Sequence, residues 1–163
     1  MEDRERAVCL ACGYIDYVNP INVVGTVPVW EDSEGPLLLL CRRNIEPGYG
    51  LLTLPAGFME YDETTAEGSA RETREEAGAR VELQGLYTVM EVVRSGQVHL
   101  FYRARLLDLD LAPGPETIEN LLVRPHEIPW EEIAFRTVLR TLRHWVADLE
   151  QGSFGVHTIR VDV

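Results

Sequence analysis

Thr64 and Glu67 make the S/T-x-x-E capping box that starts a helix, and Gly78 stands where a left-handed residue ends one. The pattern predicts a helix over Thr64–Ala77. Its apolar stripe, Ala66, Ala70, Thr73 and Ala77, uses small side chains at helical spacing. Such a stripe lets a helix lie close against a sheet, which constrains the fold more than any other local feature. Strand patterns surround it. Val23–Trp30 and Pro36–Arg42 read as a hairpin about the turn Glu31–Gly35, and Leu51–Leu54 as a short strand closed by Pro55-Ala-Gly57. Val81–Tyr87, Thr88–Val93, Gln97–Leu106, Ile118–Val123 and Val156–Val163 are further strand candidates, and Leu107–Glu116 reads as loop. A second helix is expected from about Trp130 to Glu150, with Phe135, Val138, Leu139, Leu142, Trp145, Val146 and Leu149 on one face. Strands and helices interleave, so the class is α/β (α+β), with a mixed sheet covered by helices.

The first helix carries a local conflict. Glu72, Glu75 and Glu76 stand at i, i+3 and i+4 and share one face. Like charges at that spacing cost about 0.2–0.5 kcal/mol per pair. They also lie near the negative end of the helix dipole, which disfavours each acid by about 0.3–1 kcal/mol. Arg71 and Arg74 offset only part of this. One resolution is a solvated acidic face. The other is a hard divalent cation, since Mg²⁺ takes oxygen ligands and keeps waters plus phosphate oxygens in its shell. Clustered carboxylates after a Gly-bearing strand-to-helix loop suit metal-assisted attack on a phosphoanhydride.

Composition narrows the classes further. The chain of 163 residues carries 15 basic against 27 acidic residues, a formal charge of −12. That balance argues against a nucleic-acid or anionic-membrane binder, which needs a basic footprint. Every basic residue is Arg; without Lys there is no Schiff-base chemistry and no P-loop lysine. Hydrophobic content of 45% with 26% charged residues fits a single globular domain rather than disorder. No stretch approaches the roughly 18 apolar residues of a membrane helix. The start, Met-Glu-Asp-Arg-Glu-Arg, lacks a secretory layout, and the three cysteines do not suggest a disulfide framework, so a cytoplasmic protein is expected.

Spacing then carries a resemblance. Gly57, five residues, Glu63, seven residues, and Arg71-Glu72-Thr73-Arg74-Glu75-Glu76-Ala77-Gly78-Ala79 resemble the Nudix box, G-x5-E-x7-R-E-U-x-E-E-x-G-U, where U is aliphatic. Every charged and glycine position matches. Thr73 stands in place of a larger aliphatic residue and Ala79 is small, departures that touch packing. Leu54-Pro55-Ala56-Gly57-Phe58-Met59-Glu60 is similar to the segment that enters the box in Nudix enzymes cutting ADP-ribose or dinucleotides. Cys9-x-x-Cys12-Gly13 through Asn19-Pro20 resembles Nudix proteins with a small zinc ribbon ahead of the catalytic domain.

The resemblance implies a Nudix-like α/β/α sandwich over residues 21–163, preceded by a truncated ribbon-like segment, 1–20. It implies Mg²⁺ or Mn²⁺ held by Glu72, Glu75 and Glu76, with the Gly57 carbonyl as a further ligand. Glu72 or Glu75 would be the base towards water. Arg71 would orient the glutamates through bidentate contacts, and Glu63 would brace the loop. Glu119 would be an extra carboxylate for metal or base, with Glu116 as its rival. The implied reaction is hydrolysis of a nucleoside diphosphate linked to another group, releasing AMP from ADP-ribose or FAD. The partner is a small nucleotide, with neither nucleic acid nor membrane, and a homodimer is the family habit.

Other residues are weighed without that help. Arg42 and Arg43 end a strand and either bind phosphate or are simply exposed. Phe58, Tyr49 and Tyr61 flank the box, so one can stack on a base or anchor a loop. Cys41 reads as a buried small hydrophobe. Cys9 and Cys12 have knuckle spacing, but zinc sites use four ligands and only one pair is present. A remnant is the expectation, with zinc shared between subunits as the alternative. His99, His126, His144 and His157 are scattered and suggest no metal cluster. Competing functions are a (d)NTP-sanitising pyrophosphatase and a nucleotide-sensing module without hydrolysis. Substrate signatures are absent: Arg94-Ser95-Gly96 replaces the proline typical of ADP-ribose enzymes.

Overall fold

The computed structural model describes residues 5–162. Twelve elements follow in order: β1 (Ala7–Val8), β2 (Ile15–Asp16), β3 (Ile21–Asp32), β4 (Gly35–Arg43), β5 (Leu52–Thr53), β6 (Ala56–Phe58), α1 (Thr65–Ala77), β7 (Val81–Val92), β8 (Gln97–Leu106), β9 (Thr117–Val123), α2 (Arg136–Gln151) and β10 (His157–Arg160). β4 shows why the chain is layered. Leu38 and Leu40 point to one side and Leu39 and Cys41 to the other, all at most 1% exposed. A strand apolar on both faces needs cover on both. α2 covers one face with Val138, Leu142 and Trp145, packed on Leu38, Leu40, Leu52, Tyr87 and Phe101. α1 lies over the other, where Ala77 and Ala79 meet Leu39, Cys41 and Leu106. The result is the expected α+β sandwich, a mixed sheet between helices.

The sheet has eight strands in the order β10-β7-β8-β3-β4-β5, with β6 added to β3 and β9 to β4. β3–β8 and β7–β10 are parallel pairs, and the others are antiparallel. β3 and β4 pair only over Val29–Asp32 and Gly35–Leu38, then diverge. Beyond that point β3 takes β6 and β4 takes β5, so the sheet forks, and the segment that bridges the prongs leads directly into α1. The functional cleft lies in this fork.

Thr73 has a physical account. Its hydroxyl donates to the Ser69 carbonyl at 2.7 Å and lies 2.6 Å from the Thr26 hydroxyl, so Thr26 donates to it. Both residues are 0% exposed, and both hydroxyls are satisfied. A threonine on β3 thus compensates for the threonine on the helix.

Several expectations shift. The second helix begins at Arg136 rather than Trp130: Trp130–Glu132 make only a separate 3₁₀ turn, after which Ile133 bridges to Leu52 and the Ala134 amide donates to the Leu52 carbonyl at 2.8 Å, so the chain runs extended beside β5 before the helix starts. Phe135 is therefore its N-cap and not part of the helical face. The two strands expected between Val81 and Val93 are one, with irregularities at Leu83/Gly85 and Leu86/Thr88. Pro55-Ala-Gly57, read as a closing turn, instead runs into strand β6. The terminal strand is shorter than Val156–Val163, and Val163 lies outside the described residues. In α1, Ala66 and Ala70 are only half-buried. The buried stripe is Gly68, Ser69, Glu72, Thr73, Glu76 and Ala77, which includes two of the glutamates.

The first residues form a separate two-stranded antiparallel sheet, β1 with β2. At its tip the Cys9 amide donates to Tyr14 and the Gly13 amide to Cys9, both at 2.8 Å. Cys9 and Cys12 are exposed and free. The Cys12 and Ala11 amides and the Cys12 thiol hold the Cys9 thiol below its ordinary range. Among the described residues no group of three metal-ligating side chains forms there or elsewhere. No described helix is long and apolar enough to cross a membrane.

Candidate active site

The helix that carries the acids is fixed at both ends. The Glu67 amide donates to the Thr64 hydroxyl at 3.2 Å, the Thr64 amide donates to the Glu67 carboxylate at 2.8 Å, and Gly78 closes the C-terminus at φ 65°. The loop before β9 caps the same C-terminus. Ala112 and Gly114 amides donate to the Ala77 and Glu76 carbonyls at 2.9 Å, and the Asn120 amide group donates to Ala77 at 2.9 Å. Orphan helix carbonyls are thereby satisfied, and Glu116 is delivered to the cleft.

Arg71 organises the acids. Its Nε and Nη2 donate to the two oxygens of Glu63 at 2.9 and 2.8 Å, and Nη2 also donates to the Phe58 carbonyl at 3.1 Å. Nη1 donates to Glu72 at 2.7 Å and Glu75 at 3.1 Å. All five guanidinium donors are committed. The bidentate partner is thus Glu63 and not a glutamate of the expected metal set; Glu72 and Glu75 each receive one bond. Arg71 has no donor left for a substrate phosphate. Glu63 also accepts from the Glu60 amide at 2.8 Å, bracing the loop, and Arg71 with that amide holds its carboxyl down at about 2.

The acidic face is not simply solvated. Glu72 and Glu76 are each 8% exposed, while the Glu75 side chain is 55% exposed. Burial pushes Glu76 up to about 7, against the Ala56 amide that donates to it at 3.1 Å. Burial likewise raises Glu72 against the pull of Arg71, and Glu75 and Glu116 add to the rise. A Cβ on Gly57 would run into the Glu72 carboxylate, so any larger residue there would displace Glu72 from its place beside Arg71.

A cleft of about 910 Å³ opens over these groups. Its acidic wall is Glu72, Glu75, Glu76 and Glu116. One wing is Val23, Phe58, Gln97 and His99; the other is Arg43, Pro47, Phe135 and Thr137. Arg43 Nε donates to the Pro47 carbonyl at 2.8 Å, and its guanidinium lies 4.9 Å from the Phe135 ring centroid. No described carboxylate forms an ion pair with it.

The fork therefore gathers Gly57, Phe58, Arg71, Glu72, Glu75, Glu76 and Arg43, but not Arg42 or Glu119. Arg42 donates to Glu119 at 2.7 Å, to Glu132 at 2.8 Å and to the Gly50 carbonyl at 2.8 Å, away from the cleft. The two residues are register partners on β4 and β9, so the pair is a cross-strand clamp and Glu116 takes the cleft position. Tyr49 and Tyr61 are 60% and 100% exposed and line no wall. Gln97 and His99 were not singled out from the sequence as site residues. The available signal was period two: they share the face of Phe101, a core residue.

An all-oxygen donor set suits Mg²⁺ or Mn²⁺. No three described acidic groups converge as a ready cage. That agrees with a cation that binds through one or two carboxylates and completes its shell with water and phosphate. Two buried carboxylates with raised pKa values on a cleft wall are the environment such a cation relieves.

A Nudix domain model matches residues 20–146. A crystal structure of a Nudix hydrolase from Nitrosomonas europaea is 44% identical, with a TM-score of 0.88, covering 96% of this chain and 88% of that one. An ADP-ribose pyrophosphatase structure from Streptococcus suis 89-1591 shares the fold at 19% identity and TM-score 0.64, covering 86% of this chain and 99% of that one. A MutT-like protein of Streptomyces ambofaciens is 36% identical over 86 residues, 53% of each chain, so this chain spans about half of that relative's length. The chain belongs to the Nudix family. Nudix hydrolases use divalent metal ions and act on small nucleotide substrates.

Proposed function

We propose that the protein hydrolyses the diphosphate of a nucleoside diphosphate linked to a second moiety, of the ADP-ribose or FAD type, releasing AMP. The observation that carries this is the placement of buried Glu72 and Glu76 between two wings of one cleft. A diphosphate opposite the acids leaves a wing for each group attached to it, whereas a triphosphate would leave one wing empty. The Streptococcus suis relative's activity on ADP-ribose is in keeping with this reading. The division at residues 20 and 21 belongs to it too, supported by the separate β1–β2 sheet and by a family match that begins at residue 20.

In this reading Glu72, Glu76 and the Gly57 carbonyl hold the cation, with Glu75 and Glu116 beside them. Bound there, the cation would neutralise phosphate charge and make phosphorus more electrophilic. Glu75, an exposed carboxylate on the cleft wall beside the buried pair, accepts the proton of the attacking water. Arg43, pinned by Pro47 and Phe135 with Nη groups free of carboxylates, stabilises charge on the phosphate oxygens. Arg71 is a positioning residue: it fixes Glu72 and Glu75 without touching substrate. Phe58 contacts the nucleotide.

A panel of ADP-ribose, FAD, NADH, dinucleoside polyphosphates and dNTPs assayed with Mg²⁺ tests this. Turnover should be greatest on ADP-ribose or FAD and fall about 100-fold or more in Glu75→Gln and Glu76→Gln. Undiminished turnover in both variants, or a preference for dNTPs, would refute it.

A further inference from the structure

β8 presents Gln97, His99 and Phe101 to the cleft at alternate positions, Phe101 belonging to the core. His99 pairs in register with Val23 on β3, and Val23 with Phe58 on β6. Phe58, Val23 and His99 therefore form one row across three neighbouring strands, on the face that lines the cleft. Strands lie about 4.8 Å apart, so the two rings rise about 9–10 Å from one another with Val23 as the floor between them. A flat ring touched on both faces at about 3.5–4.0 Å needs about 7–8 Å between its neighbours. The row is spaced for one such ring. Phe58 keeps 59% of its surface exposed, apolar area that a stacked ring would cover.

The polar edge of the row is ordered as well. His99 Nε2 and Gln97 Oε1 are 2.9 Å apart. With the amide oxygen accepting, Nε2 donates, which leaves His99 Nδ1 as an acceptor and the Gln97 NH₂ as a donor. Burial holds the imidazole below its ordinary range, so it stays neutral beside an acidic wall. With the His99 face turned to the ring, the Gln97 NH₂ is the donor left for its edge, which adenine or isoalloxazine meets with a ring nitrogen or carbonyl acceptor. A free sugar phosphate offers no flat face to Phe58.

We propose that Phe58, Val23 and His99, with Gln97, form a slot for the planar heteroaromatic ring of the substrate. The ring lies over β6–β3–β8, and the phosphates lead from it towards Glu72, Glu76 and Arg43. The assignment rests on the two-part substrate reading of the same cleft and adds which wing takes the ring.

Titration calorimetry with AMP, FMN and ribose 5-phosphate, each with Mg²⁺, tests it on the full chain. The ring-bearing ligands should bind the wild type at least about tenfold tighter than ribose 5-phosphate, the size of one stacking contact. Phe58→Ala and His99→Ala should each remove most of that ratio while leaving ribose 5-phosphate affinity unchanged, and Phe58→Trp should restore it. A tighter AMP than FMN assigns adenine to the slot, and the reverse assigns isoalloxazine. In turnover, Phe58→Ala should raise KM far more than it lowers kcat. Equal affinity of the wild type for ring-bearing and ring-free ligands, or a ratio intact in both alanine variants, would overturn the slot even if hydrolysis is robust. Absence of hydrolysis with the ratio and its loss as described would instead sink the pyrophosphatase reading and leave the slot standing.

Discussion

α1 and α2 cover opposite faces of one sheet, yet they are built by opposite rules. α2 buries Val138, Leu142 and Trp145, and its stability comes from large apolar side chains in the main core. α1 buries Gly68, Ser69, Thr73 and Ala77, with Glu72 and Glu76 beside them. Small residues bring its backbone close to β3, and that closeness presses two carboxylates against Gly57 and Ala56 at the fork of the sheet. The apolar helix stabilises the sandwich; the polar one is held in place by capping and by Arg71, and tolerates local repulsion because the cleft needs it. Charge removed from α1 should therefore cost activity first, and bulk removed from α2 should cost stability alone.

Arg71→Ala should have the largest effect. It leaves Glu63 and Glu72 without their shared cation, and breaking such a partly buried network costs about 3–5 kcal/mol. Urea unfolding should show that loss, and kcat/KM should fall at least about 10–100-fold, as for other residues that orient ligands. Arg71→Lys should rescue little, because one ammonium cannot replace a fork that spends five donors. Trp145→Ala should cost about 3–5 kcal/mol of stability by emptying the core under α2, while kcat/KM per folded molecule stays within a few-fold. A comparable loss of kcat/KM would mean that the two helices are not separable in this way.

A smaller effect follows from Glu76. Its carboxyl is raised to about 7 in the folded chain, so between pH 4.5 and 7 the folded state keeps a proton that the unfolded state has released. Stability in EDTA should therefore be higher at pH 5 than at pH 8, by up to about 3 kcal/mol. Glu76→Gln should flatten that slope, and Mg²⁺ should flatten it in the wild type by stabilising the ionised form. Thermal unfolding across pH checks both. The smallest effect concerns the seam between α1 and β3: Thr73→Val should cost about 1–2 kcal/mol by taking away the acceptor of the Thr26 hydroxyl. Thr26→Val combined with Thr73→Val should recover most of it, a coupling that a double-mutant cycle reads directly.

The site was legible where its chemistry is local. The capping box, Gly78 and the three glutamates sit within fifteen residues, so helical spacing alone aligned them, and the same window carried the family resemblance. Residues brought in from elsewhere were not so readable. Glu119 and Glu116 are three positions apart on one segment, and only the β4–β9 register decided that Glu119 would clamp Arg42 while Glu116 would face the acids. Helical spacing placed Glu72, Glu75 and Glu76 on one side but not at one depth, because depth is set by what the sheet presents to each.

The sequence by itself determined the two helices, most of the strands, the α+β class and the acidic turn, because propensity, capping and period act over a few neighbours. Tertiary structure alone decided where β3 and β4 part, that Arg71 exhausts its donors on Glu63, Phe58, Glu72 and Glu75, and that Gln97 and His99 stand in the cleft beside Phe58. Those outcomes depend on register between strands far apart in the chain. A shift of one residue would send each side chain to the other face, and no local pattern records it.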